Sequence, residues 1–599
     1  MIQRLGGLTS GEAMLDPRIY RGALLVALLA VIVVAFSLEN RPEPIRTAQA
    51  PVAFDGLRAG RLLETLAREY PSRRPGSVGD DALARRVGAE LRAVLPGVAV
   101  ARRPVEGART VDGRRDLVNV EATQPGSSPG AGIVVVAGRD ALGRGSPAAL
   151  SGTAALIELA RAAALARPKR SITFASVSGF TGGQAGIADL VSRFEEPVDA
   201  ILVLGDMAGP PVTGRLVSAW SEGPGSAPLD LQRTVATALR LESGLKADVP
   251  FARNQLVRYG FPFTVGAQGP PNRDGVPAVL LSASGELAPV ASAPVSPVRL
   301  QRFGRAALRS VTALDAGPLV SGAPQTDLLA VRKVVPSWAI RLLAIALLFP
   351  ALVTALDAQA RLRRERSPTG RWLAWLVVLA APFALAGIFL RLLGLLGFLN
   401  ATDPPAPPGS VPPGGAGIGA LICVVALAVL MALFARPAIE RRLALPAGRE
   451  EPGATLAPAL VACVGGLVAW IFNPYAALFL VLPAHVWLLV CVRDVRIPRG
   501  PAVALVLFSL VPFLLAAFVM AGQLSVPVWE LPWTLVLGLA GGTPWLAVML
   551  GWSLVAGAAC GALVLAWGAG QGPGRKVTVR GPVGYAGPGS LGGTPSARR

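Results

Sequence analysis

The chain has 599 residues, 52% of them hydrophobic, with a mean hydropathy of +0.53 and a formal net charge of +20. That hydropathy is more than a soluble globular protein needs and indicates an integral membrane protein. The positive charge is nearly all arginine and falls largely in short loops between apolar runs, which reports membrane orientation and argues against a nucleic-acid partner. A lysine-poor chain rich in Arg, Ala, Gly and Pro also reads as the product of a GC-rich bacterial genome.

In chain order, residues 1–21 are expected to be a cytoplasmic N-terminus. Residues 22–37, GALLVALLAVIVVAFS, follow Arg18 and Arg21 and form one run that crosses a bilayer with its flanks. Ala48-Gln49-Ala50 offers a signal-peptidase site, but it lies far from the apolar run and precedes Pro51, so an uncleaved anchor is expected. Residues 41–336 are polar enough to form a water-exposed domain in which strand-like runs alternate with amphipathic helices. Strands are predicted at 117–123, 133–137, 171–177, 199–206 and 277–282, and helices at 60–70, 79–95, 149–166 and 227–242. Such alternation predicts a three-layer α/β domain whose mostly parallel sheet is covered on both faces.

Residues 337–567 contain apolar runs at about 337–356, 371–397, 415–435, 456–472, 474–492, 501–521 and 543–567, which with the anchor make about eight spans. A further piece at 531–540 spans, re-enters or lies in the interface. Loop charge sets the expected orientation. Arg361, Arg363, Arg364, Arg366 and Arg371 follow the second span, and Arg436, Arg441, Arg442 and Arg449 follow the fourth. Arg493, Arg496 and Arg499 follow the sixth, and Arg575, Lys576 and Arg580 follow the eighth. The intervening loops, including NATDPPAPPGSVPPGG at 400–415, carry none. Both termini are therefore expected in the cytoplasm, with 41–336 outside the plasma membrane. Residues 568–599, rich in Gly, Pro and Ser, are expected to be a disordered tail. Cys423, Cys463, Cys491 and Cys560 all lie in apolar runs and offer neither a disulfide framework nor a CxxC metal site.

Within the outer domain, IVVVAGRDALGRG at 133–145 reads as a buried strand opening into a glycine-rich loop, the place where open α/β sheets hold their ligands. RRPGS at 73–77, SGTAALIELAR at 151–161, SITFASVSG at 171–179, LVLGDMAG at 202–209 and GVPAVLLS at 275–282 follow in series. Together they resemble the M28 family of zinc aminopeptidases. With one anchor and seven further spans, the chain also resembles the attachment subunit of the eukaryotic GPI transamidase and the membrane M28 peptidases of the endoplasmic reticulum.

The M28 resemblance implies two zinc ions held by His, Asp and Glu, with a second Glu as general base on the bridging water, whose pKa the metal lowers. Carried over position by position, the first metal-binding His falls on Gly138, while the Asp beside it is kept as Asp140. The bridging Asp falls on Ala148, and the paired glutamates fall on Phe180 and Thr181. The Asp of the Asp-Met strand end is kept as Asp206, and the last His falls on Gln268. The chain's single histidine is His485, inside the sixth span, so no shift of register supplies the outer domain with an imidazole. A zinc site of the family type is therefore not expected, and neither is a Ser-His-Asp or Cys-His device. An all-carboxylate site would suit Mg²⁺ or Ca²⁺ better. Ala141-Leu142-Gly143-Arg144-Gly145 lacks the Lys-Ser/Thr of a phosphate loop.

Asp140 and Asp206 read either as strand-end carboxylates satisfied by loop amides or as remnants of a ligand site. Arg391 and His485 are polar groups inside spans, read either as helix-packing and snorkelling residues or as parts of a polar path. Gly557 and Gly561 permit close helix packing. The expected function is that of a catalytically degenerate M28-like membrane protein, without catalytic residues or cofactor. Its outer domain is expected to bind a peptide, a lipid-linked substrate or a partner protein at the cell envelope, with the lipid bilayer as its other partner. Two alternatives stand: an active metallo-aminopeptidase with a non-standard ligand set, and a transporter or channel with an accessory outer domain.

Overall fold

The computed structural model describes residues 15–45, 54–142, 145–212, 215–247, 250–320, 322–330, 332–367, 369–403, 406–407, 410–442, 451–492 and 497–568. Ala48-Gln49-Ala50, Arg144, Arg449, Arg493, Arg496, residues 1–14 and the tail beyond Gly568 lie outside the described residues.

A seven-stranded sheet forms the centre of the α/β part. Its strands are β1 (Val100–Thr110), β2 (Gly113–Gln124), β3 (Gly132–Gly138), β4 (Ile172–Val177), β5 (Val198–Leu204), β6 (Val217–Ser218) and β7 (Ala278–Leu281), in the order β1-β2-β4-β3-β5-β7-β6. The β4-β3-β5-β7 core is parallel and the outer pairings are antiparallel. The alternation along β3 explains its unbroken apolar sequence. Ile133, Val135 and Ala137 pack into one buried cluster, while Val134 and Val136 pack into a second cluster on the other face. A strand covered on both faces has no polar side to display.

The predicted strands and helices are present with shifted ends, and the sequence reading missed β1. VARRPVEGART has a run of exposed residues at Arg102, Arg103 and Pro104 and again at Glu106 and Gly107, and shifts register between Val105 and Ala108. An edge strand of that kind lacks the apolar alternation that betrays a strand, and Pro is tolerated there because one face of its ladder is unpaired. The helix Ser151–Ala166 follows β3 through the short turn Pro147–Leu150. It is apolar enough to pass for a membrane span, yet Leu156, Ile157, Leu159 and Ala160 are buried against the sheet, so it belongs to the domain core.

Setting that helix aside, the helices long and apolar enough to cross a membrane among the described residues are Pro17–Phe36, Ser337–Arg364, Gly370–Leu395, Gly415–Arg442, Pro452–Phe472, Pro474–Cys491 and Leu546–Gly568. A pair bent by 40°, Arg499–Ser509 and Val511–Leu524, makes one more. The bend falls at Leu510, just before Pro512, whose ring cannot continue the preceding helix undisturbed. The piece predicted at 531–540 is a short helix, Leu531–Gly541.

The two chain passages between the parts are tied together. Glu39–Asn40 pairs antiparallel with Lys333–Val335, which pairs with Leu328–Leu329. At the far end of the bundle Arg361 meets Asp16 at 3.5 Å, and Arg371 pairs with Glu451.

Candidate functional site

Parallel strands carry their loops to one edge, so the carboxyl ends of β4, β3, β5 and β7 bring the predicted positions together. Gly138 is level with Val177, and Ala137 is level with Leu204. Asp140 therefore lies just past β3 and Asp206 just past β5. The loop carrying Phe180 and Thr181 leaves β4 beside them.

Each of these groups is held by its own neighbours. Asp140 is 4% exposed, and its two oxygens accept the amides of Phe180 at 2.8 Å and Thr181 at 3.0 Å. Burial raises its pKa, with Asp80 adding to the rise and the two amides opposing it. A Cβ built on Gly138 would sit 2.2 Å from Cγ of Phe180, so the Phe180 ring fills the space a side chain at 138 would need. The Gly138 carbonyl accepts the Thr153 hydroxyl at 2.9 Å. Ala148 is fully buried, with its amide on Ser146 Oγ at 3.1 Å.

Asp206 is 2% exposed, and its Oδ1 accepts the amides of Ala208 at 3.0 Å and Gly209 at 2.7 Å and the Ser151 hydroxyl at 3.3 Å. Its Oδ2 has no hydrogen-bond partner, and burial raises its pKa against those bonds. Gln268, fully buried, donates through Nε2 to Thr264 Oγ1 at 3.0 Å, to the Trp220 carbonyl at 3.3 Å and to Ser218 Oγ at 3.4 Å.

A buried charge network that the sequence reading missed braces this edge. Arg139 is fully buried and pairs through Nε with Asp80 Oδ1 at 2.8 Å, while its Nη1 donates to the Ser176 carbonyl at 2.9 Å. Asp80 also accepts the Ser178 hydroxyl and the Gly76 amide. Arg73 is fully buried, donates to the carbonyls of Tyr70 and Ser146, and has its pKa lowered to about 10 by burial, an effect that Asp140 and Asp80 oppose. Two arginines thus face two aspartates, and removing one partner of such a buried pair costs about 3–5 kcal/mol. The sequence held a hint in RRPGS and GRD, but nothing in either indicates that they meet.

The edge is also covered. The loop after Gly370–Leu395, within 400–415, lies over the turn that follows β4. A Cβ on Gly182 would lie 3.1 Å from Ala406 Cβ, and one on Gly183 would lie 3.2 Å from Thr402 Cβ. Thr402 and Ala406 are 1% and 4% exposed. The loop after Gly370–Leu395 thus packs directly on the turn that follows β4. Nearby, Glu222 pairs with Arg273 at 2.6 Å. Burial raises the Glu222 pKa to about 8, with Arg273 opposing and Asp403 of the covering loop adding to the rise.

These residues do not fit a two-zinc centre. Among the described residues no three of His, Cys, Asp or Glu come together where a metal could be held. Position 138 has no room for a ligand, and Asp140 already binds two amides.

The polar groups within the long apolar helices make specific contacts. His485 Nδ1 lies 2.8 Å from the Tyr20 hydroxyl and Nε2 lies 2.9 Å from the Leu347 carbonyl, joining Pro474–Cys491 to Pro17–Phe36 and Ser337–Arg364. Arg391 donates to the carbonyls of Gly542 and Pro544, between Leu531–Gly541 and Leu546–Gly568. Gly557 and Gly561 lie where a Cβ would strike Ala380 and Leu376, so helices Gly370–Leu395 and Leu546–Gly568 approach closely there.

The sequence matches no protein-family profile and no curated protein. Solved structures similar to it include an aminopeptidase, LapA, of Legionella pneumophila, at 12% identity and TM-score 0.36, covering 49% of this chain and 88% of that one. A glutaminyl cyclase from an Acidobacteriales bacterium matches at 15% identity and TM-score 0.34, covering 45% and 97%. A zinc aminopeptidase from Bacillus subtilis, BSAP, matches at 12% identity and TM-score 0.34, covering 44% and 95%.

Proposed function

We propose that this chain is a catalytically degenerate M28-like membrane protein of the cell envelope. In this reading both termini are cytoplasmic, residues 41–336 face outward, and the outer domain has kept the family's scaffold while losing its chemistry. The motifs quoted above fall at the strand ends where the family's site would stand. The single observation that carries the reading is the Phe180 ring packed against Gly138, with Asp140 held on the two amides that follow it. A general base must reach a proton and a metal ligand must face an open cavity. Here both positions are taken up by packing and backbone hydrogen bonds.

The proposed role is binding of a peptide, a lipid-linked substrate or a partner protein. The covering of the strand ends by Thr402 and Ala406 favours a ligand approaching from the bilayer side over one entering the old cleft. The contacts joining Asp16, Arg361, Arg371 and Glu451 at the end of the bundle support the proposed orientation, because they gather loops of high positive charge on one side. For the same reason a transport path through His485 or Arg391 is disfavoured, since both groups are tied to fixed partners.

The experiment is an aminopeptidase assay on the purified full-length chain with a panel of aminoacyl anilides, with and without added zinc. No turnover above the uncatalysed rate is expected. Zinc-dependent turnover that disappears in Asp206→Asn would overturn the reading and favour the non-standard-ligand alternative.

A further inference from the structure

A cavity of about 620 Å³ opens where the α/β part meets the C-terminal half of Val511–Leu524, a size within the roughly 300–1,000 Å³ of small-ligand sites. Its two walls differ in chemistry. On the domain side stand Arg215, Arg253 and Arg258, with Glu286 as the acidic group among its lining residues. On the helix side stand Leu515, Phe518 and Val519, spaced so that they share one face with Gly522. Leu515 and Phe518 are 58% and 61% exposed, so the apolar face continues outward from the cavity.

The cationic wall has unused donors. Arg258 pairs with Glu286 at 3.3 Å. Arg215 donates instead to the Gln523 carbonyl at 2.8 Å, the Ser525 hydroxyl at 2.7 Å and the Gly522 carbonyl, and so is fixed without a carboxylate. Arg253 stacks over Phe251 and makes no ion pair among the described residues. Burial lowers the pKa of Arg215, with neighbouring Arg258 adding to the fall and Glu286 opposing it. Gln523 receives Arg258 Nε on its carbonyl oxygen, which fixes its amide orientation because arginine only donates. Its Nε2 is then left buried without a partner. Three arginines against one carboxylate in the lining, two of them without an ion pair among the described residues, call for an anionic acceptor.

We infer that this cavity holds the phosphate headgroup of an anionic membrane lipid, facing Arg215, Arg253 and Arg258, with its acyl chains on the Leu515, Phe518 and Val519 face. Charge complementarity selects the headgroup, and the exposed apolar stripe selects a lipid over a soluble phosphate. The inference deepens the proposed bilayer-side binding and rests on the reading of Val511–Leu524 as membrane-embedded. It does not depend on the loss of peptidase activity.

The test uses the full-length chain in nanodiscs of phosphatidylglycerol or phosphatidylcholine carrying the same brominated acyl chains. Phe518→Trp supplies the probe, read as the difference in quenching from the parent with its 11 tryptophans. Quenching in mixed discs should show about a tenfold preference for phosphatidylglycerol, roughly 1.4 kcal/mol. That preference should vanish when Arg215→Gln and Arg253→Gln are added. Equal quenching by the two lipids overturns the inference without using an arginine variant, and so does an unchanged preference in a folded arginine variant. Loss of the preference in inorganic phosphate, but not in chloride of equal ionic strength, would assign the site to free phosphate and overturn the lipid. Release of the chain from membranes by carbonate without detergent would overturn the membrane reading itself, a failure separate from equal quenching.

Discussion

The edge of the parallel sheet and the cavity beside Val511–Leu524 are built from the same materials, arginines, carboxylates and aromatic rings, yet the first is packed shut at Gly138 and the second is open. At the sheet edge Asp140 accepts two amides, Arg139 pairs with Asp80, and the Phe180 ring closes the space over Gly138. At the cavity Arg215 has no carboxylate of its own and Gln523 Nε2 faces no acceptor. Asp206 Oδ2 at the sheet edge is likewise buried without a partner, so the difference between the two regions lies in the packing that fills the edge at Gly138 and the cavity left open beside Gln523.

Breaking the closed edge should give the largest effect. Gly138→Ala forces its Cβ into the Phe180 ring and should destabilise the chain by about 1–3 kcal/mol, the usual cost of overpacking a filled site. Phe180→Ala should recover part of that loss in the double variant, so that the cycle shows favourable coupling in detergent melts. Additive losses would mean that the ring does not block position 138.

A smaller effect concerns the covering loop. Glu222 stays neutral in the folded chain up to about pH 8, whereas its ordinary pKa is 4.5. Its folded pKa is raised, so the folded state holds a proton that the unfolded state has lost. Stability from this group is therefore greatest below pH 4.5, falls as pH rises through the window to about 8, and is level above it. Glu222→Gln keeps the neutral form and should flatten the fall in Tm across that window by a few degrees. A variant with the parent's slope would show that Glu222 is ionised in the fold, and that Asp403 does not press on it.

Much of this architecture was legible in the sequence. The unbroken run IVVVA marked a strand covered on both faces, and the apolar runs marked the helices long and apolar enough to cross a membrane. The edge strand β1 was not legible, because an exposed ribbon with Pro104 carries no periodic signal. Nor was the status of Ser151–Ala166 settled by hydropathy, since a helix in a domain core and one in a bilayer are both apolar. At the site, the single histidine, His485, lies far in sequence from the sheet's strand ends. What the sequence could not reveal was contact between distant segments. Arg73 and Asp80 are far from Arg139 in the chain, Thr402 lies more than two hundred residues beyond Gly183, and Arg215 reaches Gln523 only through the docking of the two parts. Such pairings come from tertiary packing and leave no local pattern.

The central claim is that the strand ends do not form a metal centre. The most direct measurement is the zinc content of the full-length chain, purified in detergent, incubated with zinc and passed through a desalting column. The account predicts zinc far below one ion per chain, unchanged by Asp140→Asn or Asp206→Asn. One or two tightly held ions per chain, lost in either variant, would contradict it.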